Sequence, residues 1–278
     1  DLPRLGFETS FADSSDAAAM KAAIRPNTRM IMIEAVSNPT LRVADVTGIA
    51  ELAAAHGALL VVDNTFTTPA MFRPMQHGAD IVINSITKFL AGHSDVTLGY
   101  VAARDIGLRT AIYDAAVTWG TTPSPFDCWL AERGLHTFDL RFEKAQATAA
   151  ALADALAGRD GIRQVIYPGR TDHPHHNRAG SLFGGQFGNM LSFEIEGGRD
   201  EVNSFVMNAG GIPFAPTLGD VGCTLSHPAS SSHRALTEES RAALGISEGY
   251  FRLSVGIEPP ELVLAELDDA LAAVRGES

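Results

Sequence analysis

Short apolar runs alternate along the chain with stretches in which apolar residues recur every three or four positions. Met30-Ile-Met-Ile-Glu34, Ala58-Leu-Leu-Val-Val62 and Ile81-Val-Ile83 have strand length and no internal polar position, the pattern of strands buried on both faces of a sheet. Between the first two, Val46, Ile49, Leu52 and Ala53 share one helical face, with Asp45 as a candidate cap and Gly57 just past the end. Upstream, Asp13-Ser14-Ser15-Asp16 can cap a helix over residues 17–24, which Arg25-Pro26-Asn27 stops. Strand, helix, strand, crossover and strand predict an α/β fold with a mainly parallel sheet.

Further along, the pattern predicts a strand over 100–103, a helix over 106–117, and a breaker-rich loop at Gly120-Thr-Thr-Pro-Ser-Pro125. Helices follow over 126–134 and 140–156. Beyond them the elements are shorter: strands over 162–166 and 190–195, a helix over 201–208, strands near Ile212 and over 251–255, and a closing helix over 260–274. The change in texture divides the chain into a large domain, 1–137, and a smaller α/β domain, 138–278, that includes the linker helix.

Composition narrows the function classes. A formal net charge of -12 repels phosphate backbones and anionic bilayers, and no Lys/Arg cluster offsets it, so neither nucleic acid nor membrane is an expected partner. Cys128 and Cys223 are far apart and lack metal-ligand neighbours, which fits a reducing cytoplasm better than a disulfide framework. No apolar run approaches the roughly 18 residues of a membrane span, and Asp1-Leu-Pro-Arg-Leu-Gly6 is not a signal-peptide pattern. The first residue is not Met, which suggests a processed or incomplete piece.

Of the three lysines, Lys21 and Lys144 lie among alternating apolar and polar residues, where a solvated ammonium is ordinary. Lys88 instead follows a strand-like run and is flanked by Ser85 and Thr87. Ligands in open parallel sheets bind beyond the carboxyl ends of the strands. Three successive strands end in polar residues there: Glu34 with Ser37-Asn38-Pro39, then Asp63-Asn64-Thr65, then Ser85, Thr87 and Lys88. Each has a bland explanation as a cap or turn residue, but together they describe a site. A carboxylate, hydroxyls and a lysine suit pyridoxal phosphate. The lysine condenses with the aldehyde, the carboxylate keeps the pyridine nitrogen protonated so that the ring accepts electrons, and hydroxyls hold the phosphate.

Other letters compete. Ser85-Ile-Thr-Lys88 is formally the Ser-x-x-Lys of serine acyl-enzymes, although its companion motifs are missing. A third possibility is a non-catalytic binding or assembly module of the same fold. His173-Pro174-His175-His176 resembles a metal cluster, but the proline interrupts ligand spacing and a solvated loop is the expected reading, with no metal site. Arg252, inside Tyr250-Phe-Arg-Leu-Ser-Val255, would be costly to bury unless paired, either by an edge-strand acid or by a substrate carboxylate.

Several ordered motifs resemble the Cys/Met-metabolism PLP-dependent enzymes: the cystathionine γ-synthases, cystathionine lyases, methionine γ-lyases and O-acylhomoserine sulfhydrylases. They are Glu34-Ala-Val-Ser-Asn-Pro-Thr-Leu41, Val62-Asp-Asn-Thr-Phe-Thr-Thr-Pro69, the stretch from Gly78 through Lys88 to Asp95, Arg133-Gly-Leu135, Ser226-His-Pro-Ala-Ser230 and Phe251-Arg-Leu-Ser-Val-Gly-Ile-Glu258. The resemblance implies the aspartate aminotransferase-like fold type I, with residues 1–137 binding the cofactor. Lys88 would hold pyridoxal 5'-phosphate covalently and shuttle protons, Asp63 would pair with the pyridine nitrogen, and Ser85 and Thr87 would bind the phosphate. Asn38 would contact the ring hydroxyl side and the substrate, and Arg252 would clamp the substrate carboxylate. Thr217 stands where the family usually has Ser, so its added methyl could crowd the substrate.

The implied activity is β/γ-elimination or γ-replacement on a sulfur-containing or O-acylated amino acid, in a homotetramer of active-site-sharing dimers. Family members also carry a preceding segment with the aromatic that stacks on the cofactor, a glycine-containing phosphate turn and residues that reach the neighbouring subunit. Either the numbering begins late or the pocket of this chain alone is incomplete.

Overall fold

The structure is a computed structural model that describes residues 2–277. Its first half is built on a four-stranded sheet in the order β1 (Met30–Glu34), β2 (Leu59–Asp63), β3 (Ile81–Ser85) and β4 (Gly99–Ala103). The first three strands are parallel; β4 runs antiparallel to β3, with Ser85 opposite Gly99. Helix α1 (Ala17–Ala23) begins at Asp16, which accepts from the Ala18 amide. A parallel pair needs a crossover, and α2 (Val46–His56) supplies the one between β1 and β2. Asp45 caps α2 by accepting from the Gly48 amide, and Gly57 ends it at φ 63°, as the sequence implied. The short α3 (Thr68–Met71) follows β2.

Helices α4 (Ile106–Trp119), α5 (Pro125–Leu135) and α6 (Phe138–Leu156) lead to a second four-stranded sheet. It comprises β5 (Ile162–Ile166), β6 (Met190–Ile195), β7 (Thr224–Ser226) and β8 (Tyr250–Ser254), ordered β5-β6-β8-β7 with every pair antiparallel. Helices α7 (His176–Leu182), α8 (Arg199–Asn208), α9 (Glu238–Ala243) and α10 (Pro260–Arg275) complete the chain. Two cores result. Phe138 and Phe142, at the start of α6, pack in the first with Leu60 and Val62; Ala149, Leu152 and Leu156, further along, pack in the second with Phe193 and Phe251. One helix is therefore pinned in both.

Three expectations need correction. The strand at Met30 is not buried on both faces: its exposure alternates, and Met30 and Met32 are open to solvent. Ile212 lies in no strand; the pairing falls to β7, with an isolated bridge from Phe214 to Leu225. The His173 loop is not a solvated one. His173 is buried, His175 Nδ1 accepts from the Val43 amide at 3.1 Å, and His176 stacks on Phe187 at 5.3 Å. Burial pushes the His173 imidazole down to about 4.

Candidate active site

Register brings the acids together. Glu34 is paired with Asp63 across β1 and β2, and Asp63 with Ile83 across β2 and β3, so the carboxyl ends of the three parallel strands lie side by side. One Asp63 carboxylate oxygen accepts from the Thr65 amide at 2.9 Å, and the Thr65 hydroxyl accepts from the Ser85 amide at 3.0 Å. That stitches the turn after β2 to the end of β3. The Glu34 carboxyl is raised above its ordinary range by burial and then by the charge of Asp63, and it accepts from the Asn38 amide at 2.9 Å.

Lys88 follows β3 in a five-residue π-type turn, Ile86–Leu90, and its ψ of -127° lies outside helical geometry. The turn is moulded by a close approach: Gly219 has φ +84°, and a Cβ there would lie 2.7 Å from the Lys88 carbonyl carbon. The side chain reaches Thr217, donating from Nζ to Oγ1 at 3.2 Å. Burial, and then the charge of Arg252, hold the ammonium below the usual lysine range. An amine that sheds its proton more readily is what condensation with an aldehyde requires.

Arg252 sits in the middle of β8, only 4% exposed, and no ion pair reaches it among the described residues. Its Nη1 donates to Asn38 Oδ1 at 2.7 Å and its Nη2 to the Thr217 carbonyl at 2.7 Å, while its Nε is buried without a partner. Burial lowers it to about 10. The edge-strand salt bridge is therefore absent among the described residues, and an unpaired donor remains for an anion. Asn38, which precedes a cis peptide to Pro39, is seated from the other sheet: Ser192 Oγ and Tyr250 Oη both donate to the Pro39 carbonyl at 2.9 Å. These braces come from strands more than a hundred residues away and have no local signature in the sequence. His233, half-buried, is near enough for Arg252 to depress its proton affinity, after burial, and was not singled out.

The two hydroxyls beside the lysine differ. Thr87 Oγ1 donates to the Leu98 carbonyl at 3.1 Å and accepts from the Leu98 amide at 2.8 Å, so its proton is spent within the chain. The Ser85 hydroxyl has no partner among the described residues. No hydrogen bond joins Ser85 to Lys88, which removes the contact an acyl-enzyme would use to activate the serine.

A model of the Cys/Met metabolism PLP-dependent enzymes matches residues 1–272. The chain belongs to that family. It is 41% identical to cystathionine β-lyase of Bacillus subtilis (strain 168) over 98% of this chain and 70% of that protein. It is 39% identical to O-succinylhomoserine sulfhydrylase of Pseudomonas aeruginosa over 98% and 67%. Among solved structures, cystathionine γ-synthase of Xanthomonas oryzae pv. oryzae in complex with cystathionine superposes with a TM-score of 0.91 at 42% identity, covering 96% of this chain and 69% of that one. The family fixes the cofactor as pyridoxal phosphate and the fold as type I. The donor set fits that group: an amine of lowered proton affinity, a strand-end acid, a free hydroxyl and a buried guanidinium with an unused N–H.

Proposed function

We propose that this chain catalyses β/γ-elimination or γ-replacement on a sulfur-containing or O-acylated amino acid of the methionine, cystathionine, homocysteine or O-acylhomoserine type. The observation that carries this is the meeting of Lys88 and Arg252 on Thr217. An easily deprotonated amine and an acid-free guanidinium are held on the side chain and carbonyl of one residue, as a substrate with an amino acid's two ends requires.

Pyridoxal phosphate, when bound, supplies the electron sink for charge left at the substrate Cα. The remaining tasks fall to the chain. Arg252 binds the α-carboxylate through its unspent Nε–H, with Asn38 and Thr217 fixing the guanidinium. Asp63 would be the residue that keeps the pyridine nitrogen protonated, and Asn38 would serve the ring hydroxyl and the substrate. Ser85 would help hold the phosphate through its free hydroxyl, while Thr87 contributes chiefly by holding the turn to Leu98. Lys88 takes the proton from the substrate Cα and returns it toward the leaving group. The Thr217 methyl narrows the space beside the amine.

The reading includes a homotetramer of active-site-sharing dimers in a reducing cytoplasm, with residues 1–137 and 138–278 as its domains. Its support for assembly is the exposure of large apolar residues on α4, α5 and the start of α6: Tyr113, Val117, Trp119, Phe126, Trp129 and Leu140. The net charge of -12 disfavours nucleic acid, and among the described residues no helix is long and apolar enough to cross a membrane.

The test is the visible spectrum of the purified protein before and after borohydride, with the reduced cofactor mapped to a peptide. The expected outcome is attachment at Lys88 and loss of both the visible band and turnover in Lys88→Ala. Proton transfer alone accounts for about 10²–10⁴-fold of that loss. A Lys88→Ala protein that kept both would sink the proposal, and a wild-type protein without cofactor would favour a binding module. Release of a 2-oxo acid against formation of a thioether separates elimination from replacement.

A further inference from the structure

The turn that carries Lys88 ends awkwardly. The Ala91 and Gly92 amides return to the carbonyls of Ile86 and Lys88, and the chain then swings away at Gly92, φ +76°. The Ala91 carbonyl lies 2.6 Å from His93 Nδ1, but no next turn of helix follows to supply donors for the carbonyls of Phe89 and Leu90, and buried carbonyls need them. Arg141, from the first turn of α6, supplies them. Its Nη1 donates to Phe89 O at 3.0 Å, and its Nη2 to Leu90 O at 3.1 Å and, more weakly, to Ala91 O at 3.4 Å. The same Nη2 reaches Gly134 O at 2.9 Å, and Nε reaches Thr137 Oγ1 at 3.0 Å.

The backbone is shaped to receive this guanidinium. A Cβ at Gly92 would lie 2.1 Å from Arg141 Nη1, and one at Gly134 would lie 2.4 Å from the Ala91 carbonyl oxygen. Glycine at both positions leaves room for the side chain and for α5 to approach the turn. Among the described residues no carboxylate forms an ion pair with Arg141, and the nearest acid acting on it, Asp220, already accepts from Ser94 Oγ at 2.5 Å and from the Gly222 amide at 2.9 Å. A half-buried cation is thus committed to neutral carbonyls around one lysine, at a desolvation cost that only its planar fork of donors offsets.

We propose that Arg141 is a positioning residue for Lys88: its guanidinium fixes the 86–92 turn and with it the direction in which the Lys88 amine points. The inference rests on the reading that Lys88 holds the cofactor. Without the fork the turn relaxes, Nζ leaves Thr217 Oγ1 and moves toward water, and the burial that depresses its proton affinity weakens, while the repulsion from Arg252, the charged group that acts on it, falls with distance.

The experiment uses the full chain in two forms. In the cofactor-free protein, carbamylation of lysines by cyanate is followed against pH by peptide mass spectrometry, with Lys21 and Lys144 as internal references. Wild-type Lys88 is expected to titrate below both. In Arg141→Gln its midpoint should rise toward theirs by about one pH unit, a roughly 10-fold change in proton affinity. Arg141→Lys keeps a cation but not the fork and should lie between, and it carries the same comparison if the Gln variant does not fold. In the holoenzyme, kcat should fall in the same order with KM nearly constant. A lowered melting temperature with an unmoved Lys88 midpoint and unchanged kcat would make Arg141 a structural clamp only and overturn the proposal. Borohydride fixing the cofactor elsewhere in the wild type would overturn the underlying assignment instead, before any variant is compared.

Discussion

The two sheets reach the same site by opposite means. In the parallel sheet the chemistry sits beyond the strand ends: Asp63 and Ser85 close β2 and β3, and Lys88 follows in the next turn. The carboxylates there accept from loop amides, Glu34 from Asn38 and Asp63 from Thr65. In the antiparallel sheet Arg252 is the middle residue of β8, all five of whose residues are buried, so its charge must be satisfied from inside. Asn38 and Thr217 do this in part, and the unused Nε is what remains for a ligand. The strands differ in place as well: in β1, at a sheet edge, alternate residues face solvent, whereas β8, inside its sheet, packs Phe251 against Phe193 and Phe205. The contrast implies that a functional residue at a strand end is less tied to the fold's stability than one inside a buried strand.

The sharpest way to break that contrast is to empty the second core. Phe251→Ala should cost about 3–5 kcal/mol in urea unfolding, because the surrounding rings cannot close the cavity. Acid comes next. Unfolded His173 takes its proton at about 6.5 and the folded residue only near 4, so the folded state loses stability as pH falls through that window and has it in full above. The slope is about 1.4 kcal/mol per pH unit and the total about 3 kcal/mol. Urea midpoints at pH 7 and pH 4.5 should differ less in His173→Asn than in the wild type.

Arg252→Lys keeps the charge and loses the fork. We expect kcat/KM to fall by roughly 10- to 150-fold, equivalent to about 1.5–3 kcal/mol for a charged hydrogen bond, accompanied by a lower melting temperature. A fall in kcat/KM with unchanged melting would show that Arg252 is as free of the fold as the strand-end residues. The smallest effect belongs to the open face of β1: Met32→Thr should change stability by less than about 0.5 kcal/mol. A cost above about 1 kcal/mol would show that this face is covered in solution.

Much of this was legible in the letters. Apolar runs and caps gave the three parallel strands and α2, since a strand buried in an α/β sheet carries its period in its own residues. Lys88 stood out because it follows such a run, and Asp63 because a strand end projects its last polar residue toward the crevice. The antiparallel half was read less well. The short β7 pairs at the sheet edge, with β8, and without a marked apolar run, and Ile212 drew the expectation away from it. His173 looked solvated because burial of a histidine depends on what packs over it.

The sequence by itself determined the family, the cofactor chemistry and which strand ends bear polar residues, because those are recorded in residue types at fixed short spacings. Only the tertiary structure decided the partners. It joined Lys88 to Thr217 across 129 residues and Arg252 to Asn38 across 214, spent the Thr87 proton on Leu98 while leaving Ser85 free, and set Arg141 under the lysine turn. Spacing in the chain does not encode such pairs; they arise when two sheets and the helix between them pack into fixed register.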